Sequence, residues 1–341
     1  MARLSILVAV YNVKKKLLTK CLSSLKNQTY QDIEIIIVDD GSGSECAGIC
    51  DQYSKSDERF TVIHKSNEGL SIARNTAFLN ATSDWIMFVD GDDWLEDTVC
   101  ERALPYLNSE VDICLFGIYR NTNNNETKFP MTFYREELYK GEENKILRDM
   151  VLEPDQYIST AYAKIFRGSF LRENGLLHDS ELKSGIEGIE FCYRVFDKAE
   201  SIRICGFYGY HYMYNDSSLS SSPSESSNKL IILGLDKLER YIIENDNGRQ
   251  SLEKLYRRVC YVILATATRG YFNPRNHYTY RQRIAKMTEF MKESIVKRSL
   301  RYREKENAEF PKQKLLDMIS RERYMWVYCY SLLSYIYNRV K

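Results

Sequence analysis

Short apolar runs alternate with amphipathic segments along the first third of the chain, and this alternation limits the fold more than any other feature. Leu4–Tyr11, Ile33–Val38 and Trp85–Val89 are apolar runs of strand length, and segments with helical spacing at about Lys15–Gln28 and Leu70–Asn80 separate them. Strands that are apolar on both faces and are joined through helices form parallel sheets covered on each side. The pattern therefore predicts an α/β fold with a mostly parallel sheet.

Polar residues follow each of the three apolar runs. These polar ends are Tyr11-Asn12, Asp39-Asp40 and Asp90-Gly91-Asp92-Asp93. In open α/β sheets, ligands bind beyond the carboxyl ends of the parallel strands. We therefore expect the three polar clusters to converge on one edge of the sheet and to form the functional site there.

The cluster Asp90-Gly91-Asp92-Asp93 places three carboxylates within four residues. Adjacent like charges are costly unless a cation or hydrogen-bond donors compensate them, and Mg²⁺ or Mn²⁺ held by carboxylates together with substrate phosphates would do so. The alternative is a solvated turn whose Asp92 or Asp93 caps the following helix. The second acidic strand end, Asp39-Asp40, favours a site for a metal and a diphosphate.

The composition excludes several classes of protein. The 341 residues are 44% hydrophobic with only 6 prolines, which excludes disorder over most of the chain. We expect no membrane-spanning helix, because no uncharged apolar run approaches about 20 residues, and no signal peptide, because the first apolar run leads directly into Lys14-Lys15-Lys16. The 9 scattered cysteines are typical of free thiols in a cytoplasmic protein.

Charge divides the chain into two parts. Residues 229–341 hold 24 basic and 12 acidic side chains, a balance of +12, and the preceding 228 residues carry −11. A serine-rich stretch, Ser217–Ser227, precedes the basic part and is typical of a linker. We therefore predict a separate helical, basic region at 223–341.

Five segments together resemble the inverting glycosyltransferases of family 2. They appear in the family's order and spacing, densely over residues 3–120 and loosely over 160–220. The matching segments are Ser5–Asn12, Cys21–Tyr30, Glu34–Ser42, Asn67–Asn75 and Phe88–Asp93. The resemblance implies the GT-A fold, which is Rossmann-like with helices on both faces of the sheet. It also implies a cytoplasmic enzyme of bacterial polysaccharide synthesis. In such an enzyme, residues 1–120 would bind the nucleotide-sugar, and residues 121–222 would form the acceptor-binding half of the catalytic domain.

The resemblance implies a role for each matching residue. Tyr11 and the backbone around Ala9 would contact the uracil of a UDP-sugar, and Asp40 would accept a hydrogen bond from the uracil N3–H. Further nucleotide-sugar contacts would come from Asn67, Gly69, Arg74, Asp90 and Gly91, with Asp90 meeting the ribose. Asp90 and Asp92 form the family's Asp-X-Asp motif, and Asp92 would ligate Mn²⁺ or Mg²⁺. For Arg74, an ion pair on the helix surface is the alternative.

The sequence departs from the family at the general base. Many relatives carry a Glu-Asp pair at the start of a helix, and the Asp is the base. Here Glu187 matches the Glu, and Gly188 stands where the Asp would be. Glu187 as base, with Gly188 giving an acceptor room to approach, is the first hypothesis, and Glu190 is the second. For both residues the alternative is a purely electrostatic role in the first turn of a helix.

Two further residues are candidates for the site, and each has a structural role as its alternative. His211 lies in an aromatic strand, and some family members supply a histidine metal ligand from this region. Lys164 matches a lysine that the family often carries before its acceptor-site helix.

The basic C-terminal region has no assignable motif. Residues 275–305 carry ten basic and three acidic side chains, and the last helix is rich in Trp and Tyr. Such helices can lie on an anionic membrane surface, such as the inner face of the plasma membrane, which would suit a lipid-linked acceptor. The alternative is a helical module packed on the catalytic domain or in a homodimer. Nucleic acid is not expected, because no binding motif accompanies the charge.

The resemblance thus implies a metal-dependent, inverting hexosyl- or N-acetylhexosaminyltransferase. It would move a sugar from a UDP-sugar to a growing surface glycan such as capsule, O-antigen or exopolysaccharide. An inactive nucleotide-binding scaffold subunit is the alternative that Gly188 keeps open. A nucleotidyltransferase is disfavoured, because Val10–Val13 replaces the glycine-rich, basic loop such enzymes carry.

Overall fold

The computed structural model describes residues 3–122, 125–129, 136–154, 157–183, 185–214, 225–245, 248–302 and 310–340. Within these ranges, the strands are β1 (Leu4–Val10), β2 (Ile33–Asp39), β3 (Phe60–His64), β4 (Trp85–Asp90), β5 (Trp94–Leu95), β6 (Ile113–Asn121), β7 (Glu126–Lys128), β8 (Leu138–Lys140), β9 (Lys164–Arg167) and β10 (Ser201–Met213).

The α-helices of the described ranges are α1 (Lys15–Lys26), α2 (Ser44–Ser56), α3 (Leu70–Asn80), α4 (Val99–Ala103), α5 (Glu142–Met150), α6 (Gly168–Glu173), α7 (Glu187–Lys198), α8 (Glu225–Glu244), α9 (Gly248–Ala265), α10 (Tyr280–Met291), α11 (Ser294–Leu300), α12 (Phe310–Ser320) and α13 (Tyr324–Val340). None of the helices within the described ranges is long and apolar enough to cross a membrane.

One mixed sheet forms the centre of the fold, with the strand order β3-β2-β1-β4-β9-β6-β10-β5; β7 pairs with β6, and β8 with β10. Strands β3, β2, β1 and β4 are mutually parallel. Because β9 is antiparallel to both β4 and β6, strand β6 runs in the direction of β4, and β10 is parallel to β6. Six strands therefore end at the same edge, and the predicted mostly parallel sheet is confirmed.

Helices cover both faces of the sheet. On one face, Ile6 and Val8 of β1 pack in the same hydrophobic cluster as Leu18 and Leu22 of α1 and Ile49 of α2. The intervening β1 side chains are also buried, and α3 contacts β1 and β2. Side chains alternate between the faces along a strand, so α3 covers the opposite face from α1 and α2.

Helix α7 packs on the same face as α3. Phe88 of β4 points away from the α1 cluster, and its ring lies 6.0 Å from that of Phe191 of α7 and 5.4 Å from that of His178. The packing therefore places the first turn of α7 on the side of the sheet where α3 begins, and this arrangement positions the site.

Two compact units make up the chain: residues 1–151 with 156–215, and residues 152–155 with 216–341. The first unit holds the sheet, and the second holds α8 to α13. The finer division at residues 120 and 121 stays a prediction, and most of Ser217–Ser227 lies outside the described residues.

A short strand and a short helix follow the aspartate cluster. Trp94–Leu95 forms β5, which pairs with Tyr210 and His211 of β10, and α4 comes next. Helix α4 begins without a side-chain cap at its N-terminus, so neither Asp92 nor Asp93 acts as the predicted cap.

Candidate functional site at the carboxyl edge of the sheet

The structure brings the three polar strand ends together. Ala9 is the register partner of Val38 in β2 and of Asp90 in β4, and Val10 is the partner of Asp39. Tyr11 follows at the end of β1 with 54% of its surface exposed. The β1 end is therefore flanked by acidic strand ends on both sides, as the sequence predicted.

Asp40 anchors the loop that precedes α3. Its buried carboxylate accepts hydrogen bonds from the backbone N–H of Gly69 at 2.8 Å and of Glu68 at 3.0 Å, and Lys65 Nζ lies 3.2 Å away. The loop thereby presents Asn67 to solvent. The predicted contact of Asp40 with uracil stays a prediction, and a carboxylate oxygen has a second lone pair for such a bond.

Gly69 occupies a position that requires glycine. Its φ of 100° is strained for residues with a side chain, and a Cβ atom there would lie 2.9 Å from Cβ of Lys183. The loop over the predicted nucleotide site can therefore approach the segment before α7 closely.

Arg74 is buried between two carboxylates. It donates to Oδ1 of Asp90 at 2.6 Å and to Oε1 of Glu187 at 3.4 Å. Burial lowers the pKa of Arg74, but the two carboxylates outweigh burial and leave its pKa raised, so the guanidinium is a fixed positive charge. The alternative of an ion pair on the helix surface does not hold, because the side chain is only 4% exposed.

Only one carboxylate oxygen of Glu187 has a hydrogen-bond partner among the described residues. It lies in the first turn of α7, and its Oε2 is buried with no hydrogen-bond partner among the described residues. Burial raises the pKa of Glu187, although Arg74 opposes the rise. A buried carboxylate with one free oxygen and a raised pKa is suited to accepting a proton.

Glu190 is engaged on both oxygens. Arg194 donates to its Oε1 at 2.5 Å and to its Oε2 at 2.8 Å, and the same guanidinium reaches the carbonyl of Leu177. This i, i+4 pair supports a structural role for Glu190. Of the two predicted base candidates, the geometry favours Glu187.

Gly188 lies against protein backbone. A Cβ atom at this position would lie 3.3 Å from the Ser159 carbonyl oxygen and 3.7 Å from the Ala161 nitrogen. The expectation that Gly188 gives an acceptor room to approach is therefore wrong. The missing side chain instead lets α7 pack closely on residues 159–161.

Asp92 and Asp93 differ sharply in their environments. Asp93 is buried and accepts hydrogen bonds from the Tyr210 hydroxyl and the Met213 N–H, both at 2.7 Å, so it fastens the β4 end to β10. Asp92 has no side-chain hydrogen bond or ion pair to another described residue. Burial, with repulsion from Asp90, raises the pKa of Asp92 to about 6.

The surroundings of Asp92 fit a divalent cation only in part. Within the described ranges, no group of three His, Cys, Asp or Glu side chains is arranged to hold a metal. Mg²⁺ and Mn²⁺ often take one or two carboxylates together with substrate phosphates. Asp92, and the Asp90 oxygen that Arg74 leaves free, therefore fit a metal whose remaining ligands come from a bound diphosphate.

His211 is held by other groups. Its Nε2 lies 2.7 Å from Oε1 of Glu96 and its Nδ1 lies 3.2 Å from Oε2 of Glu126. Its ring is stacked between Trp94 and Tyr119. The predicted metal contact of His211 stays untested, but both ring nitrogens have partners, which favours a structural role.

Lys164 donates hydrogen bonds to the backbone segment that lies near Gly188. Its buried ammonium group donates to the carbonyl oxygens of Tyr157, Thr160 and Tyr162. Burial lowers the pKa of Lys164 to about 8. These contacts support the structural alternative for this residue.

Sequence reasoning missed the contacts that fasten the segment before α7. Asn75 and His178 exchange two hydrogen bonds, the Ser71 hydroxyl donates to the Leu182 carbonyl, and the Leu70 N–H donates to the Lys183 carbonyl. Ser71 and Asn75 flank Arg74 on α3, and only their place in the Asn67–Asn75 motif singled them out. Helix α3 thus contacts both the loop over the predicted nucleotide site and the segment that leads to Glu187.

Comparisons with known proteins agree with this architecture. Residues 5–174 match the model of Glycosyl transferase family 2. The putative glycosyltransferase EpsH of Bacillus subtilis (strain 168) is 46% identical over 111 residues, which are 33% of this chain and 32% of that protein. The uncharacterized glycosyltransferase EpsJ of the same organism is 32% identical over 221 residues, 64% of this chain and 63% of that protein. The chain therefore spans less than two thirds of the length of these relatives.

A solved structure shows the same fold. S. aureus TarS 1–349 in complex with UDP-GlcNAc superposes with a TM-score of 0.66 at 20% identity, covering 98% of this chain and 92% of that one. The expected GT-A fold with a C-terminal helical region is thereby confirmed. From the family match, and the strand order and polar edge that accompany it, we conclude that the chain belongs to glycosyltransferase family 2.

Proposed function

We propose that the protein transfers a sugar, hexosyl or N-acetylhexosaminyl, from a UDP-sugar to an acceptor hydroxyl of a bacterial surface glycan, with inversion at the anomeric carbon. One observation carries the proposal: Arg74 joins Asp90 of the strand edge to Glu187 of α7 through a buried ion-pair network. Contact between Glu187, a group suited to proton transfer, and Arg74 at the strand edge supports a role for Glu187 in the reaction.

The charges of the site suit the departure of a diphosphate. Breaking the bond between sugar and phosphate develops negative charge on the UDP leaving group, which fixed positive charge stabilises. Arg74 is already paired with Asp90 and Glu187. The positive charge at the diphosphate would therefore come from a divalent cation held by Asp92 and Asp90.

Glu187 completes the reaction on the acceptor side. The acceptor hydroxyl gives its proton to Glu187 while its oxygen forms a bond to the anomeric carbon and the bond to UDP breaks. A single displacement of this kind inverts the anomeric centre without a covalent enzyme intermediate. Burial of Glu187 supports this role, because the raised pKa brings a carboxylate nearer to the pKa range of effective general bases.

The comparisons support the donor and acceptor classes. TarS, which has the same fold, was solved with UDP-GlcNAc. Among further relatives, a poly(ribitol-phosphate) beta-glucosyltransferase of Bacillus spizizenii is 28% identical over 216 residues. These names support a UDP-sugar donor and a cell-surface glycan acceptor for this chain.

A donor panel tests the proposal. The full chain is incubated with UDP-sugars, with Mn²⁺ or Mg²⁺, and released UDP is measured with and without candidate glycan acceptors. We expect release with one or a few donors and loss of release with chelator. Thermal stabilisation by UDP and metal, with no release from any donor, would favour the inactive scaffold subunit instead.

A further inference from the structure

Helix α13 carries an exposed apolar face. One side of the helix is packed on its own unit, where Tyr324 and Val327 are buried and the Tyr324 ring is stacked 5.6 Å from that of Phe272. The opposite side exposes large apolar side chains, and we call this set the apolar face of α13: Met325, Trp326, Tyr330, Leu332, Leu333 and Ile336.

These residues form a continuous strip. Positions 326, 330 and 333 follow one another at helical spacing, and positions 325, 332 and 336 lie beside them. Trp326 is 63% exposed and Leu333 is 68% exposed. Contiguous exposed apolar surface of this kind marks a site of interaction with a protein or a membrane.

Arginines border the strip. Arg323 is exposed one residue before α13, and the Arg275 guanidinium lies over the Tyr335 ring at 5.4 Å. Arg281 is exposed next to Tyr280, whose ring contacts that of Tyr328 on α13. Glu322 is the exposed acidic residue nearest in sequence to these arginines.

The combination of aromatic, aliphatic and basic groups decides between partners. Trp and Tyr favour the interface between lipid and water, aliphatic side chains insert below it, and arginines pair with anionic headgroups. The border of arginines complements anionic headgroups, which favours a bilayer over a protein partner. We propose that the apolar face of α13 docks on the surface of an anionic lipid bilayer, with α13 lying in the plane of the interface.

Vesicle sedimentation with the full chain tests this proposal independently of any transferase activity. The probes are phosphatidylcholine vesicles with and without phosphatidylglycerol. We expect the wild type to sediment with the phosphatidylglycerol vesicles, and less at high salt. The double variant Trp326→Ser/Leu333→Ser should bind at least about tenfold more weakly, because it removes two large apolar groups from the bilayer.

A matched control removes equally exposed apolar groups elsewhere. Ile146 in α5 is 61% exposed and Ile243 in α8 is 59% exposed. Ile146→Ser/Ile243→Ser should bind within about twofold of wild type. Circular dichroism confirms that each variant is folded.

Three outcomes would overturn the proposal. One is no wild-type binding to phosphatidylglycerol vesicles. Another is binding that Trp326→Ser/Leu333→Ser leaves unchanged, which would place adsorption elsewhere on the basic surface. The third is a wild-type dimer on size exclusion that this variant abolishes, without vesicle binding, which would assign the face to a second copy of the chain.

Discussion

Asn75 and His178 are joined by two hydrogen bonds across 103 positions of sequence. Nδ2 of Asn75 donates to the His178 carbonyl at 2.7 Å, and the His178 N–H donates to Oδ1 of Asn75 at 2.8 Å. This amide therefore satisfies one backbone donor and one backbone acceptor of the segment that leads to Glu187. The His178 ring is stacked 3.9 Å from that of Phe191 and forms no hydrogen bond to a described residue. Burial, with Arg74 and Arg194 nearby, lowers the pKa of His178 well below its usual value.

We expect Asn75→Leu to lower the free energy of unfolding by about 1–3 kcal/mol, because it leaves two backbone groups of His178 without partners. Urea unfolding measures the loss. The matched control is Asn80→Leu on the same helix, where Nδ2 donates only to the Thr76 carbonyl near the surface. The control should stay within about 0.5 kcal/mol of wild type, and equal losses in both variants would contradict the role of Asn75.

We expect Glu187→Gln to reduce turnover by about 10²- to 10⁴-fold, the contribution typical of a general base. Glutamine keeps the size of the side chain but cannot take the acceptor proton. Glu190→Gln should keep turnover within about tenfold of wild type, because its carboxylate is already paired with Arg194. UDP release under saturating donor measures both. Full activity of Glu187→Gln would contradict the proposal that Glu187 is the general base.

We expect chelation of divalent cations to abolish UDP release, and Asp92→Asn to raise the Mn²⁺ concentration needed for half-maximal release by about tenfold or more. Asn removes the unpartnered negative charge that a cation would neutralise. The control Asp97→Asn changes an exposed carboxylate close in sequence and should leave the Mn²⁺ titration unchanged. Activity that survives chelator would exclude metal dependence.

Two glycines within helices should respond differently to substitution. Gly48 in α2 has open space where a Cβ would lie, so Gly48→Ala should raise the free energy of unfolding by about 0.5–1 kcal/mol. Gly188→Ala should give no gain, and Gly188→Asp should lose about 1–3 kcal/mol, because the side chain meets the Ser159 carbonyl. Thermal unfolding compares them. A stable, more active Gly188→Asp would show that the site had lost its base.

The pH dependence of stability should reveal the bridge that His64 forms. Its ring nitrogens lie 2.9 Å from Oδ1 of Asp51 and 2.8 Å from Oδ2 of Asp39, and hydrogen bonds to these carboxylates raise the pKa of His64. A raised pKa means that the folded state binds the proton more tightly than the unfolded state. The stabilisation is therefore complete below the unfolded pKa of about 6.5 and is lost as the pH rises through the folded pKa.

The difference in stability between wild type and His64→Gln should accordingly be largest at acidic pH and shrink at alkaline pH. Urea unfolding across this range measures it. His277→Gln, a change at an exposed histidine before α10, is the control. A difference that grows with pH would contradict the bridge.

Local patterns were enough to predict the first part of the sheet. Helix α3 has the predicted bounds, and β1, β2 and β4 differ from theirs by one residue. Apolar periodicity reports burial directly, and parallel strands must end at a common edge, so the meeting of Ala9, Asp40 and Asp90 followed from order along the chain.

The environments of the site residues could not be predicted this way. Arg74 and Glu187 are 113 positions apart, and only the packing of α3 and α7 on the same face of the sheet makes them an ion pair. The pairing of β5 with β10 likewise brings Glu96 to His211, and the approach of α7 to residues 159–161 explains Gly188.

The sequence by itself determined the elements, their order and the acidic edge where they end, because these depend on residues adjacent in the chain. Only the tertiary structure decided which carboxylates are satisfied and which are not. Hydrogen bonds satisfy the carboxylates of Glu190, Asp93 and Asp40. Asp92 and one oxygen of Glu187 have no hydrogen-bond partner among the described residues. Burial and charge pairing between distant segments set that difference, and it directs the proposed chemistry to these two side chains.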